Sequence, residues 1–255
     1  MRLRLSINLN GSPSMRIPIN YNAWLVSAVY RWLSLSSQPY SDFLHNEGYR
    51  VENRVFKLFC FSQLQAKRRR VDADWLYLDS KSVSWLVSSP KEEFIGHLVA
   101  GLERDPELTI AGLRASVHNV ECAPEPALRA PVQFVCLGPI TASIWDCDSE
   151  RNPTRYLEPG EPFVDAVRVN LKRKHQLIYG RPANDDRLVL DFDADYIARK
   201  RSITKLVDFR GIKVRGVFCP FTADGSEELI RVGYECGFGE KNSIGFGMVE
   251  AREND

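Results

Sequence analysis

The hydrophobic pattern of this chain switches between two periods in a set order, and that order limits the fold more than any other property. Residues 1–9 alternate, with Leu3, Leu5, Ile7 and Leu9 on one side and Arg2 and Arg4 opposite, the period-two signature of a half-buried strand. Over residues 22–34 the period lengthens: Leu25, Ala28, Val29, Trp32 and Leu33 fall on one helical stripe, with Asn22 as candidate N-cap. The aromatic run 54–64 predicts a strand, 75–78 with 83–87 a further pair, Pro90 opens a helix through Leu102, and 108–120 returns as a strand. Pro124, Pro126 and Pro131 mark a linker. Beyond it, strand-like 132–137 and 142–145 precede a helix over about 161–179. Strands at 188–192, 203–209 and 213–221, a helix over 227–235 and a closing strand over 244–250 follow. The expectation is an α+β chain of two tandem ferredoxin-like (βαββαβ) domains, residues 1–125 and 130–255, with no long structureless loop.

Composition narrows the function classes. The 255 residues are 44% hydrophobic and 26% charged, as in a globular protein with a substantial core. A net charge of only +1 leaves no global field for a polyanion, so any nucleic-acid surface has to come from local segregation of charge. Basic residues gather in Lys67–Arg70, in Lys172, Arg173, Lys174 and His175, and across Arg199, Arg201, Lys205, Lys213 and Arg215; each cluster alone reads as a solvated face, and the three together point to a polyanion surface. The six cysteines include no C-x-x-C pair, and no leader, membrane-spanning run or lipidation motif is present, so a cytoplasmic protein with reduced thiols is expected. Asp191, Asp193 and Asp195 are spaced like the start of a calcium loop, but Tyr196 stands where the turn glycine belongs and Ser202 where the bidentate glutamate belongs. No metal or cofactor is expected.

Near the C-terminus, Gly237, Gly239, Gly245 and Gly247 with Phe238 and Phe246 bracket the polar centre Glu240-Lys241-Asn242-Ser243. Such a loop turns sharply, is anchored by its aromatics, and lets backbone approach another group closely. Its spacing is neither G-x-G-x-x-G nor G-x-x-x-x-G-K-[ST], and too little chain follows for another βαβ unit, so nucleotide-binding folds are excluded. A plain hairpin loop and a ligand-touching loop remain open.

Three residues stand out as candidates for chemistry. His45 lies in a short segment that Pro39 can start as a helix and Gly48 can end; a histidine in the last turn faces the negative helix end, which favours its protonated form and suits a general acid. Tyr30 falls off the apolar stripe of its helix and need not be a core residue. Lys57 is a lone charge in an apolar run and must reach solvent, a carboxylate or a phosphate.

The segment Val232–Val249 resembles the glycine-rich signature of the CRISPR repeat-RNA endoribonucleases, the Cas-six branch of the repeat-associated mysterious proteins, and the similarity extends over residues 18–30, 43–45, 57–59 and 171–180. The resemblance implies two ferredoxin-like domains and metal-free cleavage of CRISPR repeat transcripts by the substrate's 2′-hydroxyl, leaving 2′,3′-cyclic phosphate and 5′-hydroxyl ends. It implies His45 as general acid/base, Tyr30 as its tyrosine partner and Lys57 as the phosphate clamp. The stretch between His45 and Lys57 is longer than in the family members compared, so Arg50 or Arg54 is an alternative cation. Gly237, Gly239, Lys241, Asn242, Gly245 and Gly247, with the two C-terminal basic clusters, are the expected RNA-binding set. CRISPR repeat RNA is the expected partner, with other interference-complex proteins and a homodimer as further candidates and no membrane. A non-cleaving RNA-holding subunit is the alternative reading.

Overall fold

A computed structural model describes residues 1–9, 15–80, 82–145 and 154–252. The first half is built on a five-stranded sheet ordered Cys60–Phe61, Ser82–Ser88, Arg2–Asn8, Leu113–Cys122, Glu107–Ile110, with every neighbour antiparallel. The N-terminal strand lies at its centre, and Leu3, Leu5 and Ile7 alternate into the core as their period requires. Helices Asn22–Ser36 and Glu92–Arg104 supply Leu25, Val29, Trp32, Phe94 and Leu98 to the same core. They cross at Gly101, where a Cβ would sit 1.9 Å from the Trp32 carbonyl oxygen.

The second half has a four-stranded antiparallel sheet ordered Leu188–Phe192, Phe221–Gly225, Val132–Cys136, Val249–Ala251. Helices Glu161–Tyr179 and Glu227–Cys236 contribute Phe163, Val167, Leu171, Leu229 and Ile230 to its core, which Phe134, Phe221 and Phe238 fill. Smaller elements lie outside the two sheets: a three-stranded sheet of Met15–Pro18, Trp75–Leu78 and Arg69–Asp72, and hairpins Tyr49–Val51 with Arg54–Phe56 and Thr204–Phe209 with Ile212–Val217.

The structure corrects several local expectations. Residues 75–78 and 83–87 do not pair with each other but lie in different sheets, and the run 108–120 is two strands, Glu107–Ile110 and Leu113–Cys122, paired as a hairpin. Asn22 is not the N-cap; it lies inside its helix, buried, and donates its amide to the Ile244 carbonyl 2.7 Å away, across to the glycine-rich loop. The run 54–64 is not one strand: it breaks at Leu58, whose φ of 52° turns the chain. The apolar residues there serve two cores, Leu58 entering the second and Phe59 and Phe61 the first. The run 213–221 divides into Ile212–Val217 and Phe221–Gly225, which belong to different sheets. The closing strand shrinks to Val249–Ala251, because Gly245 and Gly247 take φ of 93° and 76° and leave the ladder.

The two halves are joined by buried polar contacts as well as by packing. Arg2, expected to point outward, is buried with its guanidinium 3.8 Å from the Tyr234 ring centroid, and it donates to the carbonyls of Val249 (2.9 Å) and Tyr234 (2.8 Å). Ser88 donates to the Glu235 carbonyl at 2.7 Å.

Candidate active site

The turn carrying His45 is specified locally. Ser37 accepts a hydrogen bond from the Tyr40 N–H and caps a short helix, Gln38–Asp42, with Pro39 in its first turn. The helix widens into a π-turn, Phe43–Glu47, and ends at Gly48 with φ 65°, whose N–H donates to the Phe43 carbonyl at 2.7 Å. A Cβ at Gly48 would lie 2.8 Å from the Phe56 carbonyl oxygen, so this turn and the strand leading to Lys57 approach too closely for any other residue. Leu44 is fully buried and pins the turn, leaving His45 exposed.

Three separate elements bring the expected trio together. The imidazole of His45 meets the ring of Tyr30 edge-on, with centroids 5.2 Å apart and planes at 81°. The Lys57 ammonium donates to the His45 backbone carbonyl at 2.8 Å. Tyr30 is half-buried, rests its ring against Phe59 at 6.3 Å, and has its phenol pushed up to about 12 by burial. The Lys57 ammonium is held below the ordinary lysine range, first by burial and then by the neighbouring positive charge of Arg50. His45 Nδ1 lies 3.0 Å from Asn46 Oδ1, a bond made when Nδ1 carries the proton; that tautomer leaves Nε2 to accept a proton or, once charged, to donate one.

Beside the trio, a cleft of about 630 Å³ separates the two halves, with Arg54, Lys57 and Phe59 on one wall and Asn170, Arg173 and Lys241 on the other. Arg50 and Arg54, the alternative cations, sit on the two strands of the hairpin that precedes Lys57, and Arg54 shares the cleft with it. Asn170 was missed by the sequence reading. Its side-chain oxygen is buried without a hydrogen-bond partner at the cleft wall, and its signal is a spacing of three residues before Arg173 on the same helix.

The expected RNA-binding set divides. Lys174 is corrected: it is 2% exposed, and its ammonium donates to the carbonyls of Gly237 (2.6 Å) and Gly239 (2.8 Å) and to Asn242 Oδ1 (2.7 Å). All three of its protons are used inside the protein. The Asn242 side chain is corrected in the same way, because its amide donates to the carbonyls of Phe238 and Phe246, 3.1 Å each. Gly237, Gly239, Gly245 and Gly247 are buried, and the groups they approach are the chain's own: a Cβ would meet Asn242, the Thr141 carbonyl, Asn22 and the Phe238 carbonyl respectively. The loop is an internal joint between the halves; its centre, Glu240, Lys241, Asn242 and Ser243, lines the cleft, and Lys241, at φ 60°, is its exposed cation.

Of the remaining cations, Lys172 pairs with Asp186 at 2.6 Å and Arg173 with Glu52 at 2.8 Å. Arg199 and Arg201 are exposed. The pairing of Leu206 with Arg215 and of Asp208 with Lys213 puts Arg215 and Lys213 on one face of their hairpin, both exposed. Lys205 falls on the opposite face, 3.8 Å from the Phe218 ring centroid; burial first, and then the charge of Arg69, lowers its pKa.

Two α+β units in tandem, the second closed by a glycine-rich loop, give the chain a RAMP-type fold. Family models match in tandem: "CRISPR-associated protein Cas6, N-terminal" over residues 16–121 and "CRISPR associated protein Cas6, C-terminal" over residues 123–251. The chain belongs to the Cas6 family of CRISPR-associated proteins. It is 29% identical over 252 residues to a CRISPR-associated endoribonuclease Cas6 of Methanocaldococcus jannaschii, a match covering 97% of this chain and 92% of that one. A solved structure of a Cas6-related gene product from Pyrococcus furiosus superposes with a TM-score of 0.87 at 23% identity, over 100% and 99% of the two chains. Another, described as a RAMP protein binding different RNA substrates, gives 0.83 at 25% identity over 99% and 100%. Among the described residues, no helix is long and apolar enough to cross a membrane.

Proposed function

We propose that this chain is an endoribonuclease that cleaves CRISPR repeat transcripts into guide units, using the substrate's own 2′-hydroxyl and leaving 2′,3′-cyclic phosphate and 5′-hydroxyl ends. The observation that carries the reading is the convergence of His45, Tyr30 and Lys57 from a π-turn, a helix and a chain crossing, with His45 exposed and the other two half-buried. The names of its relatives support the same class of reaction.

In-line attack needs a base for the 2′-hydroxyl proton, positive charge for the phosphorane, and an acid for the leaving 5′-oxygen. His45 Nε2 is the proton-transfer atom exposed to substrate: as imidazolium it gives its proton to the leaving 5′-oxygen, while the 2′-hydroxyl proton passes to solvent water, from which the ring is recharged. Lys57, with one N–H committed to the His45 carbonyl, has two left for non-bridging phosphate oxygens, and the same bond fixes their position relative to the imidazole. Tyr30, with its pKa near 12, stays a phenol at neutral pH; it orients the imidazole and donates a hydrogen bond rather than serving as a resting phenolate base. Because the nucleophile belongs to the RNA, the reading needs no serine, cysteine or activated water, and no metal. The cleft cations Arg54, Arg173 and Lys241 hold the strand next to the cut, while Lys172, Arg199, Arg201, Lys213 and Arg215 are assigned further phosphates.

The test is cleavage of repeat RNA in excess EDTA, beside RNA carrying a single 2′-deoxy at the cut. Full cleavage of the normal RNA and none of the deoxy RNA is expected. Loss of activity with EDTA, or cutting of the deoxy substrate, defeats the mechanism; tight binding with no cleavage of either assigns the chain to RNA holding.

A further inference from the structure

The three-stranded sheet of Met15–Pro18, Trp75–Leu78 and Arg69–Asp72 lies outside the cleft and buries only one face. Ile17, Leu76, Leu78 and Met15 alternate into the first core. Register puts Arg16, Tyr77 and Arg70 side by side on the opposite face, with Trp75 two residues along from Tyr77. That face is ordered rather than merely charged. The Arg16 guanidinium lies 3.7 Å from the Trp75 ring centroid, and the Arg70 guanidinium 4.1 Å from that of Tyr77. Both arginines are exposed, and the only carboxylate paired with either among the described residues is Asp72, 3.4 Å from Arg70 with both partners well solvated. Lys67 and Arg68, also exposed, extend the positive charge at one end.

We infer that this face is a second RNA-binding platform, on which unpaired bases of the repeat transcript stack against the outer planes of Arg16 and Arg70. The inference rests on the RNA-directed function proposed above. A guanidinium already flattened on an aromatic ring keeps one plane free and loses little further entropy when a base covers it, while its edge N–H groups remain for phosphate. The charge complements a polyanion, and the two flat planes require bases that are not already paired inside a duplex. The occupant is therefore a single-stranded stretch of RNA.

The experiment measures the affinity of fluorescein-labelled repeat RNA, made uncleavable by a 2′-deoxy at the cut, at several salt concentrations. Wild type is compared with Arg16→Lys/Arg70→Lys and with Arg16→Gln/Arg70→Gln, each checked for an unchanged melting temperature. Lysine keeps charge and loses the plane, so the first variant should bind about 5- to 100-fold more weakly with an unchanged salt slope. The glutamine variant should bind more weakly still, with the slope of log affinity against log salt reduced by about 1.4, or about 0.7 for each lost single-strand phosphate contact. With saturating enzyme, both should cut normal repeat RNA at the wild-type single-turnover rate. Wild-type affinity in both variants, or in the lysine variant alone, overturns the platform while leaving the proposed function standing. A wild-type protein that does not bind repeat RNA overturns both.

Discussion

Replacing Lys174 with methionine separates a structural lysine from an RNA-contacting one, because the two roles predict opposite readouts. The ammonium is 2% exposed and donates to three oxygens at 2.6, 2.8 and 2.7 Å, two of them carbonyls of the glycine-rich loop. Hydrogen bonds to a charged group are worth about 1.5–3 kcal/mol each, or about 4.5–9 kcal/mol for three. Against this stands the cost of keeping an ammonium away from water, several kcal/mol, which is also why burial leads the causes lowering this lysine's pKa. Methionine fills the same volume, removes the charge, and leaves the Gly237 and Gly239 carbonyls and Asn242 Oδ1 without their donor. Each buried acceptor left unsatisfied costs about 1–3 kcal/mol, and relief of the ammonium's desolvation offsets part of the sum, leaving a net loss of about 3–5 kcal/mol. At about 2–4 °C per kcal/mol for a chain of this size, the melting temperature should fall by about 10 °C in scanning calorimetry. RNA affinity measured well below the transition should fall only as far as the loop loosens, with the salt slope unchanged. A melting temperature within about 2 °C of wild type, together with a reduced salt slope, would refute the internal role and return Lys174 to the RNA surface.

Three further outcomes follow from the site and the loop. His45→Ala should lower the single-turnover cleavage rate by about 10²–10⁴-fold while repeat-RNA affinity changes little, because the imidazole handles protons rather than holding the strand; equal losses in rate and affinity would assign it to binding. Tyr30→Phe should reduce the rate yet leave the shape of the pH–rate profile unaltered between about pH 6 and 9. Burial raises the phenol to about 12, so Tyr30 remains protonated throughout that range and contributes no limb to the profile; loss of an alkaline limb in the variant would contradict the assignment. Gly245→Ala meets both a φ of 93° and a Cβ 2.5 Å from Asn22 Nδ2, and should destabilise the protein by about 1–3 kcal/mol, read as a lower urea midpoint.

Each of the three residues stands out from its surroundings in the sequence: a histidine between a helix-starting proline and a helix-ending glycine, a tyrosine off its stripe, a lysine in an apolar run. The resemblance alone implied a shared role, and the structure brings the three side by side. What local pattern could not supply was the route between His45 and Lys57. Residues 54–64 read as a strand because most of the side chains there are apolar, and nothing local says that Leu58 goes to one core while Phe59 and Phe61 go to another. That division forces the left-handed turn at Leu58, and the turn leaves Lys57 outside the ladder with its ammonium at the His45 carbonyl.

The glycine-rich loop poses a different problem. A missing Cβ makes room for a ligand or for the protein's own backbone, and the glycine looks the same in either case. Here the room is taken internally, by the Thr141 carbonyl against Gly239, the Phe238 carbonyl against Gly247, and Asn22 with Phe61 against Gly245. The clue to this lay outside the loop. Phe163, Val167 and Leu171 mark the buried stripe of their helix at spacings of four, and Lys174 follows Leu171 by three, on that stripe rather than on the basic face suggested by its neighbours Lys172 and Arg173. A lysine held on a core stripe needs several oxygens within reach, and a loop whose carbonyls are turned inward by glycines supplies them. The same requirement explains why the loop's one exposed cation, Lys241, can face the cleft: the buried lysine holds the backbone beneath it, and Asn22 holds the loop's far end to the half of the chain that carries His45.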